Sequence, residues 1–257
     1  MTTPLSTQWR NAPQASARLA LACLDLTSLN TSDTEADIAS LCQRAQSPFS
    51  PVAAVCVWPR LAAFARAQLP ATIAVAAVAN FPHGHANIDA AVLDAEQIVQ
   101  AGAQEVDVVL PYRSLMAGDE RVVSKLLMAV RQACPGLLLK VILETGELQT
   151  PALIQRACQL SLDSGADFLK TSTGKTPVSA TLEAARLMLG AIAASPSANN
   201  RVGFKAAGGI RTVAEAAAYI GLAQELLGAQ ALTPQRFRIG ASSLLNDVEA
   251  VLSPCLG

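Results

Sequence analysis

Short apolar runs recur along the chain, and between them the apolar residues take helical spacing. Most of these runs are almost continuously apolar, which is typical of parallel strands that are covered on both faces of a sheet. The pattern predicts eight strands, over residues 20–26, 53–58, 73–79, 105–111, 137–144, 167–172, 202–207 and 236–241.

Helix start signals stand in the segments between these runs. Thr150 followed by Pro151 combines an N-cap residue with proline at the first helical position. Thr212 and Glu215 have the spacing of a capping box. Together with the apolar spacing, these signals predict helices over residues 35–46, 87–101, 151–164 and 212–227.

A Gly-Ala pair recurs after a helix and before a strand, at Gly102, Gly165 and Gly228, where a left-handed residue would end the helix. Eight strand–helix units in 257 residues predict an α/β fold, a single (β/α)8 TIM barrel. An open doubly wound sheet is the alternative, but LDLTSLN after the first strand has no glycine for a dinucleotide site. We expect one domain over residues 1–257, with an N-terminal extension (1–19) and a C-terminal tail (246–257).

The composition of the chain limits the kinds of molecule that it is expected to bind. With 51% hydrophobic residues and a net charge of −1, the chain can fill one large core and has no overall field for nucleic acid or an anionic membrane. No apolar run approaches the ~18 residues of a membrane helix, and no signal peptide stands at the start. We therefore expect a cytoplasmic protein. The cysteines, at positions 23, 42, 56, 134, 158 and 255, form no C-x-x-C pair and are expected to be reduced and mostly buried.

Charged residues interrupt four of the apolar strands. Lys170 lies in DFLKTSTGK, Lys205 in VGFKAAGG, Lys140 in LLLKVILE and Asp107 in EVDVVLP. Lysine is almost never fully buried unless it is paired. In a barrel these side chains can all point to the axis, with Lys170, Lys205 and Asp107 near the C-terminal strand ends where active sites lie.

Two inward lysines on neighbouring strands predict amine chemistry. Burial and mutual repulsion both lower a lysine pKa, and a free amine attacks a carbonyl to form a Schiff base. Asp107 is then the best-placed carboxylate for acid–base work. An inert buried ion network is the structural alternative.

Glycine and serine follow the last strands, where barrels often bind phosphate through backbone N–H groups and a helix N-terminus. AAGGIRT follows the seventh strand and RIGASSL the eighth, while TSTGK follows the sixth. We predict a phosphate site at Gly174, Lys175, Gly208, Gly209, Gly240, Ser242 and Ser243.

The sequence disfavours both a catalytic metal site and a serine–histidine catalytic triad. His83 and His85 are the only histidines, and a zinc-dependent aldolase would want about three protein ligands. We expect these two to be surface or loop-packing residues and predict no metal and no cofactor. Glu144, at the end of the fifth strand, either orients the lysines or caps a loop.

Taken together, LDLTSLN, NFPHG, EVDVV, YRSLMAG, LKVILETGEL, ADFLKTSTGK, GFKAAGGIRT and RIGASSLL closely resemble the deoxyribose-phosphate aldolases, a family of class I aldolases with a barrel fold, from about residue 20 to 245. The resemblance implies reversible cleavage of 2-deoxy-D-ribose 5-phosphate to D-glyceraldehyde 3-phosphate and acetaldehyde, a step of deoxyribose phosphate catabolism. It implies that Lys170 forms the Schiff base, Asp107 relays protons and Lys205 perturbs the nucleophile. It also implies supporting roles for four residues, Asp25, Thr27, Lys140 and Thr173.

The implied partners are phosphorylated sugars and aldehydes, without nucleic acid or membrane, and a homodimer is considered. Two features depart from the family pattern. Ala206 replaces a proline after the second lysine, and the ending VLSPCLG lacks the terminal tyrosine of some members, the only tyrosines being Tyr112 and Tyr219. Tail-assisted protonation is therefore not expected. A different Schiff-base lyase and a catalytically silent sugar-phosphate-binding protein stay open as alternatives.

Overall fold

A closed barrel of eight parallel strands forms the centre of the molecule, in a computed structural model that describes residues 5–253. Each strand is hydrogen-bonded to the next along the chain, and the eighth closes on the first. The strands are β1 (Leu24–Thr27), β2 (Ala54–Val57), β3 (Ala74–Ala79), β4 (Glu105–Val109), β5 (Leu138–Ile142), β6 (Phe168–Lys170), β7 (Gly203–Ala207) and β8 (Phe237–Ala241).

Helices alternate with the strands, as a (β/α)8 TIM barrel requires. They are α1 (Leu5–Arg10), α2 (Pro13–Ala22), α3 (Glu35–Arg44), α4 (Pro59–Gln68), α5 (Ile88–Gln100), α6 (Tyr112–Met116), α7 (Glu120–Ala133), α8 (Thr145–Leu148), α9 (Pro151–Asp163), α10 (Leu182–Ala194), α11 (Val213–Leu227) and α12 (Leu244–Leu252). A short 3₁₀ turn, Ala229–Ala231, precedes β8.

The main core lies between the strands and the surrounding helices. Outward strand residues such as Val106 and Leu139 pack there with Val123 and Leu127 of α7. Strands that are covered on both faces carry apolar residues at almost every position, which explains the continuous apolar runs in the sequence.

The inner surface of the barrel is divided. On the side of β1–β3, Leu29, Cys56, Ala76 and Val78 form a separate small apolar cluster. The buried charged residues of the strands lie on β4–β8 and, on the apolar side, at Asp25 of β1. The division leaves one polar sector, on which the candidate site is built.

All eight predicted strands are present, which confirms the barrel, but the predicted start of the first strand is wrong. Residues 20–22 belong to α2, and β1 begins at Leu24. The alanine-rich run favours a helix that begins at Pro13, and an apolar run alone does not separate helix from strand.

The predicted helix signals are confirmed. Thr150 caps α9, and Thr212 and Glu215 form the capping box of α11. The glycines after α5 and α9, Gly102 and Gly165, have φ of 72° and 83°. The described part of the predicted extension 1–19 contains α1 and the start of α2, and α12 occupies much of the predicted tail, whose last residues, 254–257, lie outside the described region.

Within residues 5–253, no helix is long and apolar enough to cross a membrane. The five cysteines in that region are free and buried, as expected. Cys255 lies outside it.

Candidate active site

Four charged residues that interrupt apolar strands meet inside the barrel. The strand register places Asp107 beside Lys140 and Lys170 beside Lys205. Inward positions alternate along each strand, so these side chains share one interior. All four are buried.

Asp107 is the centre of this group because three lysines bind its carboxylate. Nζ of Lys140 lies 2.7 Å from Oδ1, and Nζ of Lys170 lies 2.7 Å from Oδ2. Nζ of Lys205 lies 2.8 Å from the same Oδ2. Lys170 and Lys205 therefore donate to one shared oxygen.

Two further charged residues, Glu105 and Arg238, complete the network, and the sequence analysis missed both. Nη2 of Arg238 lies 2.8 Å from Oε1 of Glu105, and Lys140 binds the other oxygen of Glu105. Nη1 of Arg238 lies 2.5 Å from Oδ1 of Asp25, whose Oδ2 accepts from Lys205. The signal was available, because Glu105 stands two positions before Asp107 and Arg238 interrupts the apolar run of β8.

These contacts form a closed ring of six residues, which we call the charge ring. The charges of the six side chains alternate in sign around it. The contacts are Asp107–Lys205, Lys205–Asp25, Asp25–Arg238, Arg238–Glu105, Glu105–Lys140 and Lys140–Asp107.

Electrostatics favours the charged forms of five ring members, Asp25, Asp107, Lys140, Lys205 and Arg238. Burial opposes the charge of each of these five, but the neighbouring opposite charges more than offset it. The pKa values of Asp25 and Asp107 consequently lie below their usual range. By the same cause, the pKa values of Lys140, Lys205 and Arg238 lie above theirs.

Lys170 differs from the ring members. Burial, the largest influence, lowers its pKa, Asp107 opposes that effect, and the positive charge of Lys205 adds to the lowering. The pKa of Lys170 therefore lies below its usual value, while that of Lys205 is raised. Of the two lysines, Lys170 is the one whose amine loses its proton more easily.

A cavity of about 350 Å³ opens above Lys170 at the C-terminal ends of the strands. Thr27 and Thr173 line it together with Lys170. The residues predicted for phosphate binding all line it as well: Gly174, Lys175, Gly208, Gly209, Gly240, Ser242 and Ser243.

Three loops form the far wall of this cavity. Gly208 and Gly209, after β7, have φ of 88° and 84°, which side chains rarely adopt. A Cβ on Gly208 would also lie 2.6 Å from Cβ of Ser179. Ser243 directly precedes α12, so the N-terminus of that helix faces the cavity.

Gly240 also makes room for a neighbouring side chain, which the sequence did not indicate. A Cβ at this position would lie 3.0 Å from Cε of Lys205 and 3.1 Å from Cβ of Ala207. The glycine therefore leaves room for the Lys205 side chain to cross the barrel towards Asp25.

Glu144 holds the loop after β6 and does not contact the lysines. Its carboxylate accepts from Oγ1 of Thr173 at 2.5 Å, from N of Thr173 at 3.3 Å and from Oγ1 of Thr176 at 3.3 Å. Burial raises the pKa of Glu144. Of the two roles considered for this residue, the contacts favour loop capping.

The two histidines lie apart from the network, whereas Cys56 lies beside it. His83 and His85 are exposed in the loop after β3, with ring centroids 5.4 Å apart. Within the described residues, no group of three His, Cys, Asp or Glu side chains is arranged to hold a metal ion. Sγ of Cys56 lies 3.9 Å from Oδ2 of Asp107, and burial raises the pKa of that thiol.

Comparison with known proteins identifies the family. The DeoC family model, described as DeoC/LacD family aldolase, matches residues 19–250. The chain therefore belongs to the DeoC/LacD aldolase family.

Solved structures agree with this assignment. A candidate deoxyribose-phosphate aldolase from Toxoplasma gondii ME49 is 27% identical with a TM-score of 0.85, covering 95% of this chain and 96% of that one. One from Coccidioides immitis is 30% identical with a TM-score of 0.79, covering 95% and 97%. The tetrameric deoxyribose phosphate aldolase from Aeropyrum pernix, at 24% identity and a TM-score of 0.73, shares the fold over 97% of each chain.

Proposed function

We propose that this aldolase reversibly cleaves 2-deoxy-D-ribose 5-phosphate to D-glyceraldehyde 3-phosphate and acetaldehyde through a Schiff base on Lys170, in deoxyribose phosphate catabolism. The observation that carries the proposal is the position of the Lys170 amine. It lies between the Asp107–Lys205 pair and a cavity lined by glycine and serine loops. Such loops suit a phosphate, and the amine suits a carbonyl.

In the proposed mechanism, the neutral amine of Lys170 attacks C1 of the open-chain sugar, and water leaves to give an iminium ion. The C3 hydroxyl gives up its proton, the C2–C3 bond breaks, and its electrons move into the iminium as an enamine. Asp107, in contact with Lys170 and Lys205, relays the protons of these steps. Protonation at C2 and hydrolysis then release acetaldehyde and regenerate the amine.

Binding at the other end fixes the substrate. The glycines of the β7 loop, Gly208 and Gly209, line the cavity with backbone alone, and Ser242 and Ser243 add hydroxyls at the N-terminus of α12. We propose that they bind the 5-phosphate together with Gly174, Lys175 and Gly240. Four further residues keep the site in shape and position the sugar hydroxyls: Asp25, Lys140, Thr27 and Thr173.

Borohydride trapping tests the proposal. Reduction in the presence of acetaldehyde should add an ethyl group to Lys170, located by peptide mapping. The variant Lys170→Leu should give no adduct, whereas Lys125→Leu on the exposed face of α7 should trap normally. An adduct mapped to Lys205 would reverse the two roles.

A panel of phosphorylated sugars tests the substrate. A strong preference for another sugar phosphate would point to a different Schiff-base lyase, and absence of turnover on all of them to a binding protein. Because the iminium ion on Lys170 supplies the electron sink, activity should survive prolonged EDTA treatment. Loss on chelation that zinc restores would refute the amine mechanism. Sedimentation would test whether the chain forms the homodimer that the sequence analysis considers.

A further inference from the structure

The charge ring is balanced without Lys170. Its three carboxylates, on Asp25, Glu105 and Asp107, face three cations, on Lys140, Lys205 and Arg238. We propose that Glu105 and Arg238 are positioning residues that act through charge: Arg238 supplies the third cation of this ring, so that no carboxylate is left unmatched for a proton on Lys170, and Glu105 balances the charge of Arg238.

The contacts of each carboxylate oxygen support this reading. Both oxygens of Glu105 bind ring cations, one Arg238 and the other Lys140. Both oxygens of Asp25 do the same. Among the carboxylates of residues 5–253, Nζ of Lys170 contacts one oxygen, Oδ2 of Asp107, which already accepts from Lys205. A proton on Lys170 would therefore make a fourth cation for three buried carboxylates.

Arg238 is the fixed charge in this arrangement. A guanidinium does not give up its proton in proteins, so Arg238 always neutralises one carboxylate. Without that charge, three carboxylates would face only Lys140 and Lys205. The nearest amine able to restore balance by taking a proton is Lys170.

Few other charges face Lys170. From β4 and β7 it meets Asp107 and Lys205, and from β2 it meets Cys56, whose raised pKa keeps the thiol neutral. Lys175 and Arg211, on the loops after β6 and β7, line the same cavity. Lys140 on β5, Asp25 on β1 and both Glu105 and Arg238 lie in the ring itself. The ring is thus the source of most charge around this amine.

Removing a negative charge and removing a positive charge from the ring should shift the pKa of Lys170 in opposite directions. Glu105→Gln keeps the shape and removes one negative charge, so the pKa of Lys170 should fall by about one unit. Arg238→Gln removes one positive charge, so the pKa of Lys170 should rise by about one unit. The double variant is balanced again and should return close to the wild-type value, as should Arg238→Lys, which keeps the charge.

The measurement needs no turnover. Trace acetylation with acetic anhydride across pH, with Lys170 followed by peptide mass spectrometry, reports the pKa of this amine directly, because only the neutral amine reacts. Glu120→Gln, in the exposed pair with Arg156, is the matched control and should leave the pKa of Lys170 unchanged. The pH profile of kcat should move with the labelling pKa.

Shifts of opposite sign that cancel in the double variant would support the proposal, since loss of packing alone would not produce them. An unchanged pKa of Lys170 in folded Glu105→Gln would overturn it, even if Arg238→Gln failed to fold. The proposal depends on the proposed function only for its effect on catalysis. If borohydride found no adduct on Lys170, the proposed function would fail while the labelling result still decided the role of the ring.

Discussion

Lys170 and Lys205 are register partners on adjacent strands, and both donate to Oδ2 of Asp107. They nevertheless differ in surroundings. Lys205 also binds Asp25, whereas Lys170 faces the cavity. The second carboxylate stabilises the charged form of Lys205, and its positive charge then makes protonation of Lys170 less favourable.

Replacing Lys205 with leucine should therefore raise the pKa of Lys170. The positive neighbour is removed while Asp107 stays, so the charged form of Lys170 is favoured. A rise of one to two units would lower the fraction of free amine near pH 7 by about 10- to 100-fold. The acid limb of the kcat profile should move to higher pH by the same amount.

Lys205→Arg is the control, since it keeps the positive charge, and its profile should stay much closer to wild type. A profile of Lys205→Leu that fell in height without moving in pH would assign Lys205 a structural role only.

The second prediction concerns the phosphate loops. Ser242→Glu puts a carboxylate into a site proposed to bind an anion, so KM for 2-deoxyribose 5-phosphate should rise by about 100-fold. KM for unphosphorylated 2-deoxyribose should change much less. Ser197→Glu, on an exposed turn before β7, makes the same substitution outside the cavity. Equal losses on both substrates would locate the phosphate elsewhere.

A third prediction follows from the contacts of Glu144. Glu144→Gln leaves an amide where a buried carboxylate accepted from Thr173 and Thr176, so one donor faces another. We expect the free energy of unfolding to fall by about 1–3 kcal/mol, the usual cost of a lost buried hydrogen bond to a charged group. KM should rise several-fold because Thr173–Lys175 line the cavity, with kcat less affected.

Glu147→Gln, three residues later on α8, provides a comparison for the same chemical change. Steady-state kinetics and urea unfolding measure both effects. An unchanged KM in Glu144→Gln would mean that the hydrogen bonds of Glu144 do not order the loop after β6.

The fourth prediction concerns packing inside the barrel. A Cβ on Gly203 would lie 2.5 Å from Cζ of Phe168, so Gly203→Ala should destabilise the protein by about 1–3 kcal/mol. Gly190→Ala in α10 meets nothing within 4 Å and should be neutral or slightly stabilising. Adding Phe168→Leu should recover part of the loss in Gly203→Ala. Thermal unfolding of Gly203→Ala, of Phe168→Leu, of the double variant and of Gly190→Ala tests the contact, which additive effects of the first two substitutions would contradict.

Much of the fold could be predicted from the sequence because parallel barrel strands are apolar on both faces and leave a strong signal. The start of β1 could not, since an alanine-rich apolar run fits either element. Lys140, Lys170 and Lys205 stood out because lysine is rarely buried. A buried arginine is similarly rare. Arg238 stands between the apolar residues Phe237 and Ile239 and gave the same signal, but the sequence analysis overlooked it.

Other contacts of the site depend on partners distant in the sequence. Glu144 closes an apolar strand, but only the folded chain shows that its acceptors serve Thr173 and Thr176, about thirty residues away. The closure of the charge ring likewise joins residues 213 positions apart, Asp25 and Arg238. No local pattern specifies such a connection.

The division of the barrel interior separates two properties of an enzyme that usually change together. Leu29, Ala76 and Val78 form the apolar sector and belong to none of the ion pairs. Leu29 also lines the cavity, so a change in its volume should alter the size of the carbonyl compound that fits, while the charges around the amine come from Asp25 on β1 and from β4–β8. A barrel built in this way can acquire new substrates by drift in one sector without losing the nucleophile maintained by the other.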